Sequence, residues 1–157
     1  LPALDELARR LRLARGEGWW EARRGLPLPD ATTASLPALR AYADGTRAFD
    51  RGDYAGALTY YRAAVALDSS FALAHAALGS TLYWLNRSAE GDSAFQAATR
   101  HAGRLTPRER MTVEARAALL RGDRARAIAV RRAWLAEHPR DVDVLEALGY
   151  ALLRDKR

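Results

Sequence analysis

The sequence predicts an all-α protein, a right-handed α-solenoid of about three helical hairpins with an N-terminal helical segment and a C-terminal cap helix. A turn sequence occurs twice in similar form, as RGDYAGAL at residues 51–58 and as RGDRARAI at residues 121–128. A degraded copy, LNRSAEG, lies between them at residues 85–91, and the turns recur at intervals of 34 and 36 residues. A repeat of this length is typical of stacked helical hairpins.

Each repeated turn carries a residue that suits left-handed backbone. Glycine adopts positive φ without a steric penalty, asparagine tolerates it, and such a residue commonly ends a helix. Gly52, Asn86 and Gly122 occupy this position in the three copies. A residue with a side-chain oxygen follows each turn and is expected to cap the next helix. These expected caps are Asp53, Ser88 and Asp123.

The spacing of small and large residues is similar to that of a known repeat. A small residue is followed by a large apolar one four positions later and by a second small one three positions after that. These positions are Ala57, Tyr61 and Ala64 in one copy and Gly91, Phe95 and Ala98 in the next. Leu-Gly pairs stand at residues 78–79 and 148–149, and Pro139 closes a repeat. With these features residues 38–157 resemble the tetratricopeptide repeat (TPR) family.

The resemblance implies a TPR array over residues 37–157. Its repeats are expected at about residues 38–71, 72–107 and 108–141, with a cap helix at 142–154. The expected helices lie at about residues 37–51, 53–67, 71–85, 88–101, 107–121, 123–137 and 141–154. Ser35 and Asp141 are expected N-caps, and Thr106 with Glu109 forms a predicted capping box around Pro107.

Residues 1–36 are predicted to form a helical segment followed by a proline-rich linker. Leu4, Leu7 and Leu11 recur on one helical face, and the prolines within residues 26–30 prevent a continuous helix. A single repeat cannot bury its own apolar face. We therefore expect residues 2–25 to cover the free end of the first hairpin, in the same chain or in a second copy, and the alternative that residues 2–15 are the last helix of a preceding domain stays open. Homo-oligomer formation through the array ends is left open.

The composition excludes several classes of protein. The chain has no cysteine, which rules out disulfides, thiolate catalysis and cysteine-bound metals. It has no apolar run close to the ~20 residues that a membrane span needs. The net charge is +6 and is carried almost entirely by arginine, with Lys156 the only lysine. Because acidic residues are interspersed with the arginines, we interpret most of this charge as solvated helix surface.

The sequence contains no catalytic or cofactor-binding pattern. The three histidines, His75, His101 and His138, lie far apart, without a second ligand at metal-binding helical spacing. Glycine-rich phosphate loops, G-x-S-x-G elbows and H-E-x-x-H motifs are missing. The sequence therefore predicts a protein that is not an enzyme and that uses neither a cofactor nor a metal.

The resemblance to the TPR family implies a protein or peptide partner, bound in a groove lined by the first helix of each hairpin. Aromatic residues and arginine commonly anchor such interfaces. The alternative, that these aromatic rings only pack between helices, stays open. The expected groove residues are Tyr42, Thr46, Phe49, Asp50, Ala76, Ser80, Tyr83, Trp84, Thr112, Arg116 and Leu119. The family's carboxylate-clamp subtype is not implied, because Tyr42 and Thr46 stand where that subtype has Lys and Asn.

A second class of partner is suggested by the arginines of the third repeat. A cluster of this kind can bind nucleic acid or another anionic surface through phosphate contacts. The arginines concerned are Arg121, Arg124, Arg126, Arg131 and Arg132. No aromatic residues interleave with them for base stacking, which favours the protein partner. Arg131 also replaces the large packing residue of the earlier repeats, and Trp134 is expected to restore the lost volume.

Two segments resemble TPR regions of large bacterial proteins. Residues 32–42 are similar to the lead-in to such repeats in sensor-type serine/threonine kinases and transcriptional regulators. Residues 104–110 are similar to a loop within those repeats. No kinase or DNA-binding motif is present, so the resemblance implies neither activity here. It leaves open the bacterial cytoplasm, the periplasm and attachment to a larger parent protein.

Overall fold

The computed structural model describes residues 33–155, which form seven α-helices and one short 3-10 turn. The helices are α1 (Leu36–Asp50), α2 (Tyr54–Leu67), α3 (Ala72–Trp84), α4 (Ser88–Arg100), α5 (Pro107–Leu120), α6 (Arg124–Glu137) and α7 (Val142–Asp155). The 3-10 turn, Ala102–Arg104, separates α4 from α5. Each helix begins and ends within one residue of its predicted bounds, and the predicted all-α solenoid is confirmed. The helix predicted near the N-terminus lies outside the described residues.

The helices pack in sequential pairs. α1 packs on α2, α3 on α4 and α5 on α6, so each pair is one hairpin. The first helix of each hairpin also contacts the first helix of the next, α1 with α3 and α3 with α5. α7 packs on α6 and reaches α5 through Val144, which lies in one apolar cluster with Met111 and Ala115. We call α1, α3, α5 and α7 the first-helix layer.

The turn inside each hairpin has the predicted left-handed residue. The φ angles are +78° at Gly52, +58° at Asn86 and +85° at Gly122. In each turn the following backbone amide donates to the carbonyl oxygen five residues earlier, at 2.8–3.0 Å. This hydrogen bond satisfies a carbonyl that the helix end would otherwise leave unpaired. The three turns therefore reverse the chain in the same way.

Most of the expected helix caps are present. The hydroxyl of Ser35 and the carboxylates of Asp53 and Asp123 accept hydrogen bonds from the amide three residues ahead, at 3.2, 2.8 and 2.9 Å. Thr106 and Glu109 form the reciprocal capping box. These caps satisfy amides of the first helical turn, which have no partner within the helix.

The expected cap at Ser88 is wrong. The residue directly after the left-handed position is the cap in all three turns, and in the second turn this residue is Arg87. Ser88 is instead the first residue of α4. The Arg87 side chain makes no capping hydrogen bond and pairs with Glu90, with Nε 2.6 Å from Oε1.

The small–large–small pattern forms the core of the first two hairpins. Tyr61 and Phe95 are buried together with the small residues that flank them. A Cβ added to Gly79 would lie 2.9 Å from Cδ2 of Phe95, and one added to Gly91 would lie 2.6 Å from Cδ2 of Tyr83. Helices α3 and α4 therefore approach so closely that a larger residue at either position would force its neighbour to move.

The third hairpin is packed differently. Arg131 stands where the first two hairpins have Tyr61 and Phe95, and it is only half-buried. Trp134 packs against the apolar cluster formed by Met111, Ala115 and Val144. The indole thus supplies apolar volume that the arginine does not, as the sequence predicts.

A single carboxylate joins the last three helices. Asp141 accepts hydrogen bonds from Nε and Nη2 of Arg108 on α5, both at 2.8 Å, and from Nε1 of Trp134 on α6 at 2.9 Å. It also caps α7 by accepting from the amide of Val144 at 3.4 Å. The Arg108 hydrogen bonds lower the pKa of Asp141 to about 2, because they favour the charged form.

Asp141→Asn is expected to lower the free energy of unfolding at pH 7 by about 2 kcal/mol. The pKa of Asp141 is about 2 in the fold against a reference of 3.8, so its contribution is complete above pH ~4. It is lost as the pH falls through ~2, and the variant should converge with the wild type there. Urea denaturation at several pH values measures the difference in the free energy of unfolding between the wild type and the variant.

The matched control for that substitution is Asp143→Asn. Asp143 also accepts from Arg108 Nη2, at 2.8 Å, but its side chain is largely exposed. Exposed ion pairs contribute little, so this variant should change stability far less. Equal losses in the two variants would contradict the role assigned to Asp141.

Gly52→Val is expected to lower the free energy of unfolding by about 1–2 kcal/mol or more, because a β-branched residue resists positive φ. A Cβ at Gly52 would meet no atom within 4 Å, so the loss would come from the backbone alone. The control is Gly103→Val, where a Cβ is equally free of contacts and φ is not in the left-handed range. Thermal unfolding of both variants tests the role of the left-handed turn. Equal thermal midpoints for Gly52→Val and Gly103→Val would contradict that role.

Candidate functional site

The largest exposed aromatic side chains of the first-helix layer meet at one cleft. Trp84, the last residue of α3, is 58% exposed, and Tyr150 of α7 is 60% exposed. Both line a cleft of about 510 Å³ that we call the aromatic cleft. Its lining residues are Tyr83, Trp84, Asn86, Leu119, Leu120, Arg124, Tyr150 and Ala151. Exposed apolar surface gathered in a concavity is typical of a binding site.

The Trp84 ring is held in place from behind. It stacks on Tyr54, with ring centroids 5.4 Å apart and an angle of 14° between the planes. Tyr54 in turn meets the edge of Phe49 at a centroid distance of 5.2 Å. These rings come from α1, α2 and α3, so the first hairpin positions the exposed side chain of the second. A ring fixed in this way loses little freedom on binding.

The wall of the cleft beside Trp84 is rigid for a different reason. The ring of Tyr83 packs on Phe95, with centroids 6.2 Å apart, and its hydroxyl donates to Asp92 at 2.8 Å. Asp92 also accepts from Nε of Arg121 at 2.5 Å. The Arg121 hydrogen bond lowers the pKa of Asp92, while burial raises the pKa of Tyr83. Tyr83 therefore ties α3 to α4 and to the end of α5.

Three of the expected groove residues of α1, Tyr42, Thr46 and Phe49, are partly buried against the core. Tyr42 packs between Tyr61 and Phe71, with centroids 5.7 and 5.1 Å away. The Thr46 hydroxyl donates to the carbonyl of Tyr42 and accepts from the Tyr61 hydroxyl, at 3.1 and 3.2 Å. Asp50 is exposed at the end of the helix. For Tyr42, the alternative that the ring packs between helices describes its position better.

The middle of α3 offers little surface to a partner. Ser80 is 3% exposed, and its hydroxyl donates to the carbonyl of Ala76, which is also buried. What α3 presents on this layer is its C-terminal end, at Tyr83 and Trp84. The reason is that α3 is covered mainly by its hairpin partner α4 and by α2 of the preceding hairpin.

The remaining expected residues divide between two clefts. Leu119 lines the aromatic cleft, whereas Thr112 and Arg116 line a smaller cleft of about 230 Å³ between α5, α6 and α7. We call the smaller one the arginine cleft. Its lining residues are Arg108, Met111, Thr112, Arg116, Arg131, Asp143, Val144 and Ala147.

Two important side chains of the aromatic cleft were not anticipated from the sequence. Tyr150 lies 34 residues after Arg116, so carrying the groove positions one repeat further, into α7, would have found it. Tyr54 carries no such signal, because it belongs to the second helix of its hairpin. Only the tertiary structure brings it under Trp84.

The arginines of the third repeat are partly neutralised. Arg121 pairs with Asp92, and Arg126 pairs with Glu114, both at 2.5 Å. These carboxylates offset part of the positive charge that a phosphate would otherwise meet.

The histidines of the described residues have structural contacts. The Nε2 atom of His75 is hydrogen-bonded to the Ser69 carbonyl at 2.8 Å, and its ring stacks on His101 at 5.9 Å. Burial lowers the pKa of His75 and favours its neutral form. Residues 33–155 contain no group of three His, Cys, Asp or Glu side chains that could hold a metal ion.

Part of the chain matches a known protein family. A family model described as "TPR repeat" matches residues 45–85, which run from the middle of α1 through α2 to the residue after α3. The match supports the TPR family for this helical-repeat array. TPR repeats are generally protein–protein interaction modules, and their fold is typically a non-enzymatic scaffold.

No curated protein matches the chain. Within the part of the chain that the structure describes, no helix is long and apolar enough to cross a membrane.

Proposed function

We propose that this array is a non-catalytic interaction module that binds a segment of a partner protein in the aromatic cleft. The observation that carries the proposal is Trp84, which is mostly exposed yet fixed by the Tyr54 stack. An indole that only filled the core would be buried. Trp and Tyr are enriched among the residues that dominate binding energy.

The chemistry of the cleft fits an apolar side chain of the partner. Leu119 and Leu120 add apolar lining to the cleft beside Trp84 and Tyr150, and Arg124 adds one positive charge. A volume of about 510 Å³ accommodates one or two side chains. We therefore expect a short extended or helical segment whose large apolar residue enters between the two aromatic rings.

The similarity of residues 32–42 and 104–110 to repeats of large bacterial proteins suggests a setting for this module. We infer that it belongs to a bacterial signalling or assembly protein, in which it recruits a partner. Determination of the full-length gene product would test that inference directly.

The alternative partner, a nucleic acid or other anionic surface, has less support. Two of the five arginines that would form the basic surface are engaged by carboxylates. Phosphate binding weakens steeply with salt, whereas binding to an aromatic cleft does not. Titration of a fluorescein-labelled single-stranded oligonucleotide at 50 and 200 mM NaCl would detect the alternative.

Trp84→Ala is expected to weaken partner binding by about 2 kcal/mol or more, roughly thirtyfold in Kd, because it removes the anchoring ring. A displayed library of random 12-residue peptides, panned on the wild-type chain, supplies the probes. Fluorescence anisotropy of each enriched peptide measures Kd, and far-UV circular dichroism should show unchanged helicity.

The matched control for Trp84→Ala is Tyr60→Ala. Tyr60 is an exposed aromatic residue on α2 that lines neither cleft, so its removal should leave Kd unchanged. Peptides that bind Trp84→Ala as tightly as the wild type would refute the proposal. If Trp84→Ala unfolds the array, Tyr150→Ala tests the opposite wall of the same cleft.

A further inference from the structure

The arginine cleft is lined by a half-buried arginine, Arg131, that has no ion-pair partner within residues 33–155. The Nη1 atom of Arg131 is buried and makes no hydrogen bond with the described residues. Buried polar atoms in folded proteins are nearly always hydrogen-bonded, and an unpaired buried charge is strongly unfavourable. Since Arg131 takes the place of a core aromatic ring, its presence calls for a compensating interaction.

The neighbours of Arg131 do not supply that interaction. Burial lowers the pKa of Arg131, and the nearby positive charge of Arg116 lowers it further. None of the ion pairs within residues 33–155 involves Arg116 or Arg131. Asp143 lines the same cleft, but its carboxylate is bound to Arg108 at 2.8 Å.

The charges around the cleft leave room for one negative charge. Three guanidinium groups, those of Arg108, Arg116 and Arg131, face two carboxylates, those of Asp141 and Asp143. The net charge of this group is therefore +1. One monoanion would neutralise it, whereas a phosphate dianion would leave an excess of negative charge beside Asp143.

We propose that the arginine cleft binds a carboxylate side chain, Asp or Glu, of the partner segment through the guanidinium groups of Arg116 and Arg131. A carboxylate can accept two parallel hydrogen bonds from one guanidinium group, and Arg116 and Arg131 each offer such a group. Met111, Val144 and Ala147 line the rest of the cleft, and their apolar surface fits the methylene groups of such a side chain. The partner's identity as a protein rests on the proposed function, but the anion site does not.

The two clefts lie next to each other along α5 and α7. Arg116 precedes Leu120 by four residues on α5, and Ala147 precedes Ala151 by four residues on α7. Residues four apart lie on the same face of a helix, about 6 Å apart along its axis. An extended chain covers that distance in about two residues. The partner should therefore carry Asp or Glu about two residues from the apolar residue that enters the aromatic cleft.

The first arm of the test needs no partner. The thermal midpoint is measured in sodium acetate, in sodium phosphate and in sodium chloride of equal ionic strength, for the wild type and two variants. The variants are Arg131→Met and Arg132→Met, which remove the same charge from adjacent residues of α6, the second of them exposed. Acetate should raise the midpoints of the wild type and of Arg132→Met, because a ligand of the folded state stabilises it. It should leave Arg131→Met unchanged.

The second arm uses the peptides enriched by panning on the wild type. An Asp or Glu about two residues from the apolar anchor is changed to Asn or Gln. The loss of a charged hydrogen-bond partner should raise Kd by roughly tenfold or more on the wild type and on Arg132→Met. The same change should have little effect on Arg131→Met, which lacks the group that recognises the carboxylate.

The other outcomes of these experiments distinguish the anion site in the arginine cleft from the proposed partner binding in the aromatic cleft. A wild-type midpoint that acetate does not raise relative to chloride would overturn the anion site, and a rise with phosphate alone would overturn the carboxylate assignment. Peptides that depend on Trp84 but not on Arg131 would overturn this inference and leave the proposed function standing. An acetate effect that requires Arg131, with no enriched peptide, would support the anion site and refute the proposed function.

Discussion

The left-handed turn inside each hairpin is the constraint on which the rest of the array depends. Positive φ at Gly52, Asn86 and Gly122 lets the next amide reach the carbonyl five residues earlier and reverses the chain at once. The two helices then face each other over a short distance. Small residues at the crossing, such as Gly79 and Gly91, allow the close contact that buries the larger rings.

The same turn also builds the candidate site. Tyr54 is the second residue after Gly52, so the geometry that ends α1 sets the direction in which this ring leaves the chain. The ring lies under Trp84 of the next hairpin and holds it against the cleft. The left-handed turn at Gly52 therefore positions Tyr54 for its contact with the next repeat. That contact in turn fixes the exposed indole of Trp84.

The third hairpin has a charged residue where the first two hairpins have an apolar core ring. Arg131 replaces a core ring, and the hairpin is held instead by Trp134 and by the carboxylate of Asp141, which accepts from α5 and α6 and caps α7. Hydrogen bonds of this kind are strong only where the geometry satisfies every donor. Arg131 is the exception, because its Nη1 atom is buried without a hydrogen-bond partner among the described residues, although the side chain lines the arginine cleft.

The sequence by itself determined the helix bounds and the turns, because these depend on residues within about five positions of one another, and it determined the fold class through the regular recurrence of those turns. Glycine or asparagine at each turn and the capping box at Thr106 are local signals of this kind. Only the tertiary structure decided which side chains are accessible. Ser80 is buried and Trp84 exposed although both were expected in one groove, since burial depends on contacts between residues some 30 positions apart, as between Tyr54 and Trp84.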